Sequence, residues 1–215
     1  MSHRLACAAV LLDCDGVLVD SDASVTRTWT RWATRYGLDP AEVVPGVHGR
    51  PAAETVAAWL PPSRCEQALR LIVAMEREDA DSVTALPGAR EILDSLGAGC
   101  WAVVTSGESV LARSRIRAAG LRVPDVLVTA DDVVRGKPDP QPYLLAAERL
   151  GVPPTSCVVV EDAPAGVAAA RAARAAGVLG VGPRARALDV DLAVPDLRGV
   201  RFDGSALVVP ADDGS

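Results

Sequence analysis

The sequence predicts an α/β protein: a Rossmann-like parallel sheet sandwiched by helices, with a small all-helical module inserted after the first strand. Three observations carry this. Apolar runs of strand length recur at 6–13 (ACAAVLLD), 101–105 (WAVVT), 125–130 (DVLVTA), 157–162 (CVVVED) and 178–182 (VLGVG). None alternates strictly, as expected of strands covered on both faces. Helical segments separate them, each reaching a glycine: ESVLARSRIRAAG stops at Gly120, PYLLAAERLG at Gly151 and AGVAAARAARAAG at Gly177. Finally, the βα rhythm pauses after about residue 20 and resumes at LPGAREILDSL, residues 86–96.

The opening MSHRLACAAVLLD has the basic residue and apolar run of a secretory signal, but the run meets Asp13 and Asp15 with no small-residue cleavage site beyond. It reads as the first strand. In the gap that follows, Val25, Trp29, Trp32, Ala33 and Tyr36 share one helical face. Ser63 and Glu66 have capping-box spacing ahead of Leu69, Ile72 and Val73. The expected division is therefore a core of residues 1–20 and 86–215 and a helical cap of 21–85, placed over the carboxyl edge of the sheet. Trp29, Trp32 and Trp59 are expected to fill the cap interior and Trp101 to open a central strand. A hinge is expected around 20–24 and 85–88, where a bulkier residue at Gly88 should disturb turnover more than folding. The final PADDGS reads as a loose tail.

Composition narrows the function. At 215 residues, 49% hydrophobic and 23% charged, the chain can bury a sizeable core. A net charge of −6 and the absence of any basic stripe argue against nucleic acid. No apolar run approaches the ~18 residues needed to cross a bilayer. Five scattered cysteines without a C-x-x-C pair fit reduced thiols in the cytoplasm. A monomer is expected, since no long apolar stripe is left over. Of the 22 basic residues all but Lys137 are arginine, so the single lysine marks a place where a compact ammonium is wanted.

Four short motifs fall at predicted strand ends. Asp13 and Asp15 lie two apart, so both face one way at the edge where open α/β sheets bind ligands. At ~4 Å and an effective dielectric of about 20, two such carboxylates repel by on the order of 4 kcal/mol, so a positive partner is required. A divalent cation meets that need, and Mg²⁺ suits a site of one or two carboxylates plus a substrate phosphate. Asp162 supplies a further ligand, and Glu161 beside it a hold on a metal-bound water. Taken alone, a D-x-D is more often a solvated turn. Thr105 and Ser106 lead through Gly107 into a helix, an arrangement that binds phosphate or merely caps the helix. Lys137, in the proline-bounded RGKPDP, stands where an ammonium would neutralise a carboxylate nucleophile and a phosphate oxygen together.

In this order and spacing the motifs resemble those of the haloacid dehalogenase superfamily: DCDGVLVDS, VVTSG, GKPDP and VVEDAPAG, with a helical cap between the first two. The likeness runs from about Cys7 to Val194. The strings WTRWATRYGL, HGRPA, TALPGA and RGKPDPQPYLLAAERLG resemble the bacterial sugar-phosphatase and β-phosphoglucomutase-like group within it. Leu12 stands where phenylalanine is usual, a change of packing only. The resemblance implies a phosphatase acting on a small sugar or sugar-alcohol phosphate. Asp13 would be the nucleophile that forms an aspartyl phosphate, and Asp15 the general acid and base. Thr105, Ser106 and Lys137 would hold the phosphate, and Mg²⁺ would sit on Asp13, the Asp15 carbonyl and Asp162.

Other chemistries within the superfamily fit less well. Dehalogenation has no leaving oxygen to protonate, and members that perform it lack the second aspartate. Phosphonate hydrolysis uses a cap lysine, which this cap does not have. A phosphomutase of the β-phosphoglucomutase type would carry a histidine where this chain has Val25, and a cap lysine as well. A catalytically silent binding protein would usually lose one of the charged residues. In the cap, His48, Gly49 and Arg50 form a bent loop ahead of a helix starting near Pro51. They are expected either to reach the substrate or simply to open that helix.

Overall fold

The computed structural model describes residues 2–47, 49–183 and 185–211. The chain enters as β1 (Ser2–Ala6), then β2 (Ala9–Leu12) and β3 (Val19–Asp20). Four helices follow: α1 (Asp22–Tyr36), α2 (Pro40–Val43), α3 (Ala52–Trp59) and α4 (Pro62–Glu78). β4 (Thr84–Ala85) pairs antiparallel with β3, so the strands entering and leaving this helical insert lie side by side. The α/β rhythm resumes with α5 (Ala89–Ser95), β5 (Trp101–Val104), α6 (Ser109–Ala118), β6 (Leu127–Val128) and α7 (Gln141–Leu150). It continues through β7 (Cys157–Glu161), α8 (Pro164–Ala172), β8 (Gly177–Val181) and β9 (Leu192–Val194). The chain then closes with β10 (Arg201–Phe202) and β11 (Ala206–Pro210).

Six of these strands make one parallel sheet in the order β6-β5-β2-β7-β8-β9. Alternate residues serve opposite faces, which is why the runs are apolar throughout. Val10, Leu12, Val103, Val158 and Val160 join Ile92 of α5 and Ile116 of α6 in one buried cluster. Their neighbours Leu11, Ala102, Val104 and Val159 join Tyr143 and Ala146 of α7 and Val167 of α8 in another. The insert has a third cluster of its own, built on Val25, Trp29, Trp32, Val56 and Ile72. Trp32 is fully buried and its Nε1 donates to the Ala68 carbonyl at 2.9 Å, locking α1 to α4. Trp101 packs at the head of β5 beneath the Arg122 guanidinium. All five cysteines are free thiols. Among the described residues no helix is long and apolar enough to cross a membrane.

Several local expectations are corrected. The run at 6–13 is not one strand. Residues up to Ala6 belong to a separate antiparallel sheet, β1-β11-β10, in which Leu5 faces Leu207. The chain changes sheets at Cys7 and Ala8, whose N–H groups donate to the carbonyls of Ser205 and Ser156. Pro210 of the supposed tail ends β11, and 212–215 lie outside the described residues. The 125–130 run is a strand only at β6; Thr129 then caps a short 3₁₀ turn. α8 stops at Ala172, five residues before Gly177, through Arg174 at φ 60°, because Gly177 is already paired with Val158 in the sheet. Ser63 lies inside the first turn of α4 rather than capping it; Pro61 is the cap, and Glu66 pairs with Arg70.

Gly88 also differs from expectation. At φ +83° it opens α5, and a Cβ there would stand 2.0 Å from the Leu197 carbonyl carbon and 2.3 Å from the Arg198 nitrogen. Backbone on backbone cannot relax cheaply, so the glycine is demanded by folding. Gly88→Val is expected to cost at least about 2 kcal/mol of stability, and Trp32→Ala about 3–5 kcal/mol. Urea unfolding checks both; a Gly88→Val protein as stable as the wild type would return the glycine to a purely dynamic role.

Candidate active site

Register places the site. Leu12, the last residue of β2, is aligned with Val103 of β5 on one side and Val160 of β7 on the other. The residues that follow, Asp13, Thr105 and the Glu161–Asp162 pair, therefore gather at one carboxyl edge. Asp13 is 5% exposed, its N–H donating to the Val160 carbonyl at 3.0 Å. A tight turn follows in which Leu18 and Val19 donate to the Cys14 carbonyl. Asp15 is thereby left partly exposed beside the insert.

Lys137 reaches this edge from the loop before α7. At 1% exposure its Nζ donates to Asp13 Oδ1 at 2.7 Å, Glu161 Oε1 at 2.6 Å and the Val104 carbonyl at 3.0 Å. Burial works against the ammonium, but Asp13 and Glu161 outweigh it and hold the Lys137 pKa well above the ordinary lysine value. Glu161 is saturated. Its Oε1 also accepts from the Tyr143 hydroxyl at 2.7 Å, and its Oε2 from the N–H groups of Asp162 and Ala163 at 3.0 and 3.1 Å.

Thr105, 4% exposed, accepts the Gly107 N–H on its Oγ1 at 3.1 Å. Ser106 Oγ donates 3.1 Å to the Gly49 carbonyl, joining this loop to the insert. The first N–H of α6, on Ser109, is taken by Asp131 Oδ2 at 2.9 Å. Gly49 and exposed Arg50 line the same cavity as Asp13, Asp15, Thr105 and Asp162, a space of about 500 Å³ between sheet edge and insert. His48 lies outside the described residues.

Oxygens of Asp13, Glu161 and Asp162 come within 4.8 Å of one another. A Cβ on Gly16 would stand 2.3 Å from Asp162 Oδ2, so that glycine, at φ +83°, leaves room for the carboxylate. With Glu161 fully engaged, Asp13 and Asp162 are the side chains suited to a small hard cation, and Glu161 is suited to orienting them.

Three residues of the site escape a motif reading. Tyr143 supports Glu161 from the first turn of α7. Arg115 of α6, 3% exposed, donates from Nη1 to Asp15 Oδ1 at 2.9 Å, and its Nη2 stands 4.0 Å from Glu76 Oε1 on α4. The available signal was a charge on an apolar stripe: Arg115 follows Leu111 and Ala112, and Glu76 follows Leu69, Ile72 and Val73, at helical spacing. Burial pushes the Glu76 carboxyl from 4.5 up to about 7, with Arg115 opposing the rise and Asp15 adding to it.

Compared with known proteins, residues 7–174 match the haloacid dehalogenase-like hydrolases, and the chain belongs to that family. It is 45% identical over 174 residues to hexitol phosphatase A of Escherichia coli (strain K12), covering 79% of this chain and 81% of that one. It is 37% identical over 205 residues to validoxylamine A 7'-phosphate phosphatase of Streptomyces hygroscopicus subsp. limoneus, covering 89% and 95%. A β-phosphoglucomutase structure from Clostridium difficile shares the fold at a TM-score of 0.79 and 20% identity, over 92% of this chain and 94% of the other.

The raised carboxyl of Glu76 has a measurable sign. The folded protein holds that proton more tightly than the unfolded chain, so the associated stability is complete below pH ~4.5 and is lost as pH rises through about 7. Between pH 5 and 8 the wild type should lose about 1–3 kcal/mol more than Glu76→Gln. Denaturant unfolding at both pH values measures the difference; parallel profiles would place the Glu76 titration elsewhere.

Proposed function

We propose that the chain is a Mg²⁺-dependent phosphatase that hydrolyses a small sugar or sugar-alcohol phosphate through an aspartyl phosphate on Asp13. The reading has residues 21–85 act as a cap over a core of 1–20 and 86–215, in a cytoplasmic monomer. The observation that carries it is the 2.7 Å contact of the buried Lys137 ammonium with Asp13 at the floor of the shared cavity. With one oxygen held by Lys137, the Asp13 carboxylate keeps its other oxygen for attack on phosphorus. The ester P–O bond breaks as Asp15 gives its proton to the leaving sugar oxygen. Asp15, now a base, takes a proton from water, whose oxygen attacks phosphorus; the Asp13–phosphorus link breaks and inorganic phosphate leaves. Thr105 and Ser106 hold the phosphoryl oxygens during both transfers, and Lys137 joins them by turning one of its three N–H groups from its present acceptors to the phosphoryl group.

Mg²⁺ would be held by Asp13, Asp162 and the Asp15 carbonyl, where it would offset charge on the transferring group. Glu161 would keep Asp162 and Lys137 in place. Val25, buried on α1 and lining the cavity, offers no proton carrier where a mutase needs one, which favours hydrolysis over isomerisation. The relatives named for hexitol and validoxylamine phosphates support a polyhydroxylated leaving group.

The test is phosphate release from hexose, hexitol, pentose and triose phosphates, with β-glucose 1-phosphate followed for isomerisation. Release should require Mg²⁺ and stop on chelation. Asp13→Asn should lower it by at least about 10³-fold, and Asp15→Asn by about 10²–10⁴-fold. Isomerisation without release would mean a mutase, and silence on both counts a binding protein.

A further inference from the structure

Arg115 is a buried cation with unmet hydrogen-bonding capacity. Nη1 is spent on Asp15, whereas Nε and Nη2 are buried without a hydrogen-bond partner. A fully buried guanidinium rarely leaves N–H groups unsatisfied, because each forfeits its water. Its side chain lines the cavity, and so does that of Glu76, whose Oε1 stands 4.0 Å from Nη2. That separation is within reach of an ion pair and too long for a hydrogen bond. With Nη2 closed to solvent, a hydroxyl enters only as the two side chains part, and it then accepts from Arg115 and donates to Glu76.

We propose that Arg115 and Glu76 form a subsite for a substrate hydroxyl on the carbon next to the phosphoester. The proposal rests on the phosphatase reading above and adds to it a place for one group of the leaving alcohol. The geometry gives its position. Arg115 grips Asp15, the residue assigned to protonate the leaving oxygen, so the remaining N–H groups lie on the leaving-group side of the phosphate. Arg115 comes from α6 and Glu76 from α4 of the insert. The subsite is therefore completed only where insert and sheet edge meet, and Trp29 lines the same cavity with its indole N–H toward Glu76. A simple alkyl ester would leave the buried N–H groups of Arg115 without an acceptor, so the hydroxylated ester should be preferred.

The experiment compares sorbitol 6-phosphate with its 5-deoxy analogue in wild type, Arg115→Lys and Glu76→Gln, after thermal melting has shown each variant to be folded. Lysine keeps the charge but loses the planar fork, and glutamine keeps the size of Glu76, so one variant serves if the other fails to fold. The wild type should favour the hydroxylated ester in kcat/KM by at least about tenfold, and each variant should bring the ratio to within about twofold of one. A wild-type ratio near one, or a ratio unchanged in the folded variants, overturns the subsite and leaves Arg115 a structural tie. Release from a wider panel of esters but from neither of these two overturns it as well. No release from any ester overturns the phosphatase reading, and the subsite with it.

Discussion

The ammonium of Lys137 is buried among three oxygens that come from three neighbouring strands: Asp13 after β2, the Val104 carbonyl on β5 and Glu161 on β7. A charge in that position is tolerated only if its hydrogen bonds are met, and here each of its donors has an acceptor. The converse holds with equal force. Without the ammonium, Asp13 and Glu161 would face each other as buried like charges. The central strand ends, the loop before α7 and the Tyr143 hydroxyl are thus arranged around one side chain. In a chain with a single lysine, arginine could not replace it: a planar fork does not fit a compact pocket of three acceptors.

The fold around this centre follows from the way the sheet is buried. Strands covered on both faces spend their side chains on packing, so chemistry is confined to the edge where they stop. The βα order puts that edge on one side, and the antiparallel pair β3–β4 starts and ends the helical insert beside it. The insert has its own apolar cluster, and it meets the sheet edge through polar contacts: Ser106 with Gly49, Arg77 with Glu108 at 2.6 Å, and Arg115 near Glu76. The solvated pair Arg77–Glu108 can be exchanged for water at modest cost, whereas Arg115 and Glu76 are buried where the insert meets the sheet edge. The exchangeable pair suits a cavity that must admit and release a ligand.

Much of this was legible in the residues. The D-x-D pair, the hydroxyls after WAVV and the acidic pair after CVVV each sit where a strand ends, so period and punctuation locate them, while the lone lysine stands out by composition and reaches the same edge from the loop before α7. The helical face through Val25, Trp29 and Trp32 was equally plain. What could not be read depended on partners distant in sequence. LACAAVLL contains no breaker, and only the pairing of β1 with β11, some two hundred residues on, reveals that it crosses between sheets. Gly88 looks like a hinge until the Leu197 backbone is seen against it. Arg115 and Glu76 each break an apolar helical stripe, but that they do so against each other appears only once α6 and α4 face across the cavity. Tyr143 gives no sign in sequence of which carboxylate its hydroxyl will meet.

The central claim is that Asp13 carries the phosphoryl group, and the most direct measurement is to trap it there. Protein mixed with excess hexitol phosphate and Mg²⁺ is quenched in acid within milliseconds, reduced with borohydride and digested for mass spectrometry. An aspartyl phosphate is reduced to homoserine, so homoserine at position 13, and at no other aspartate, is the predicted result. Unmodified Asp13 in a protein that releases phosphate under the same conditions, or homoserine at Asp15 or Asp162 instead, would contradict the assignment of the nucleophile.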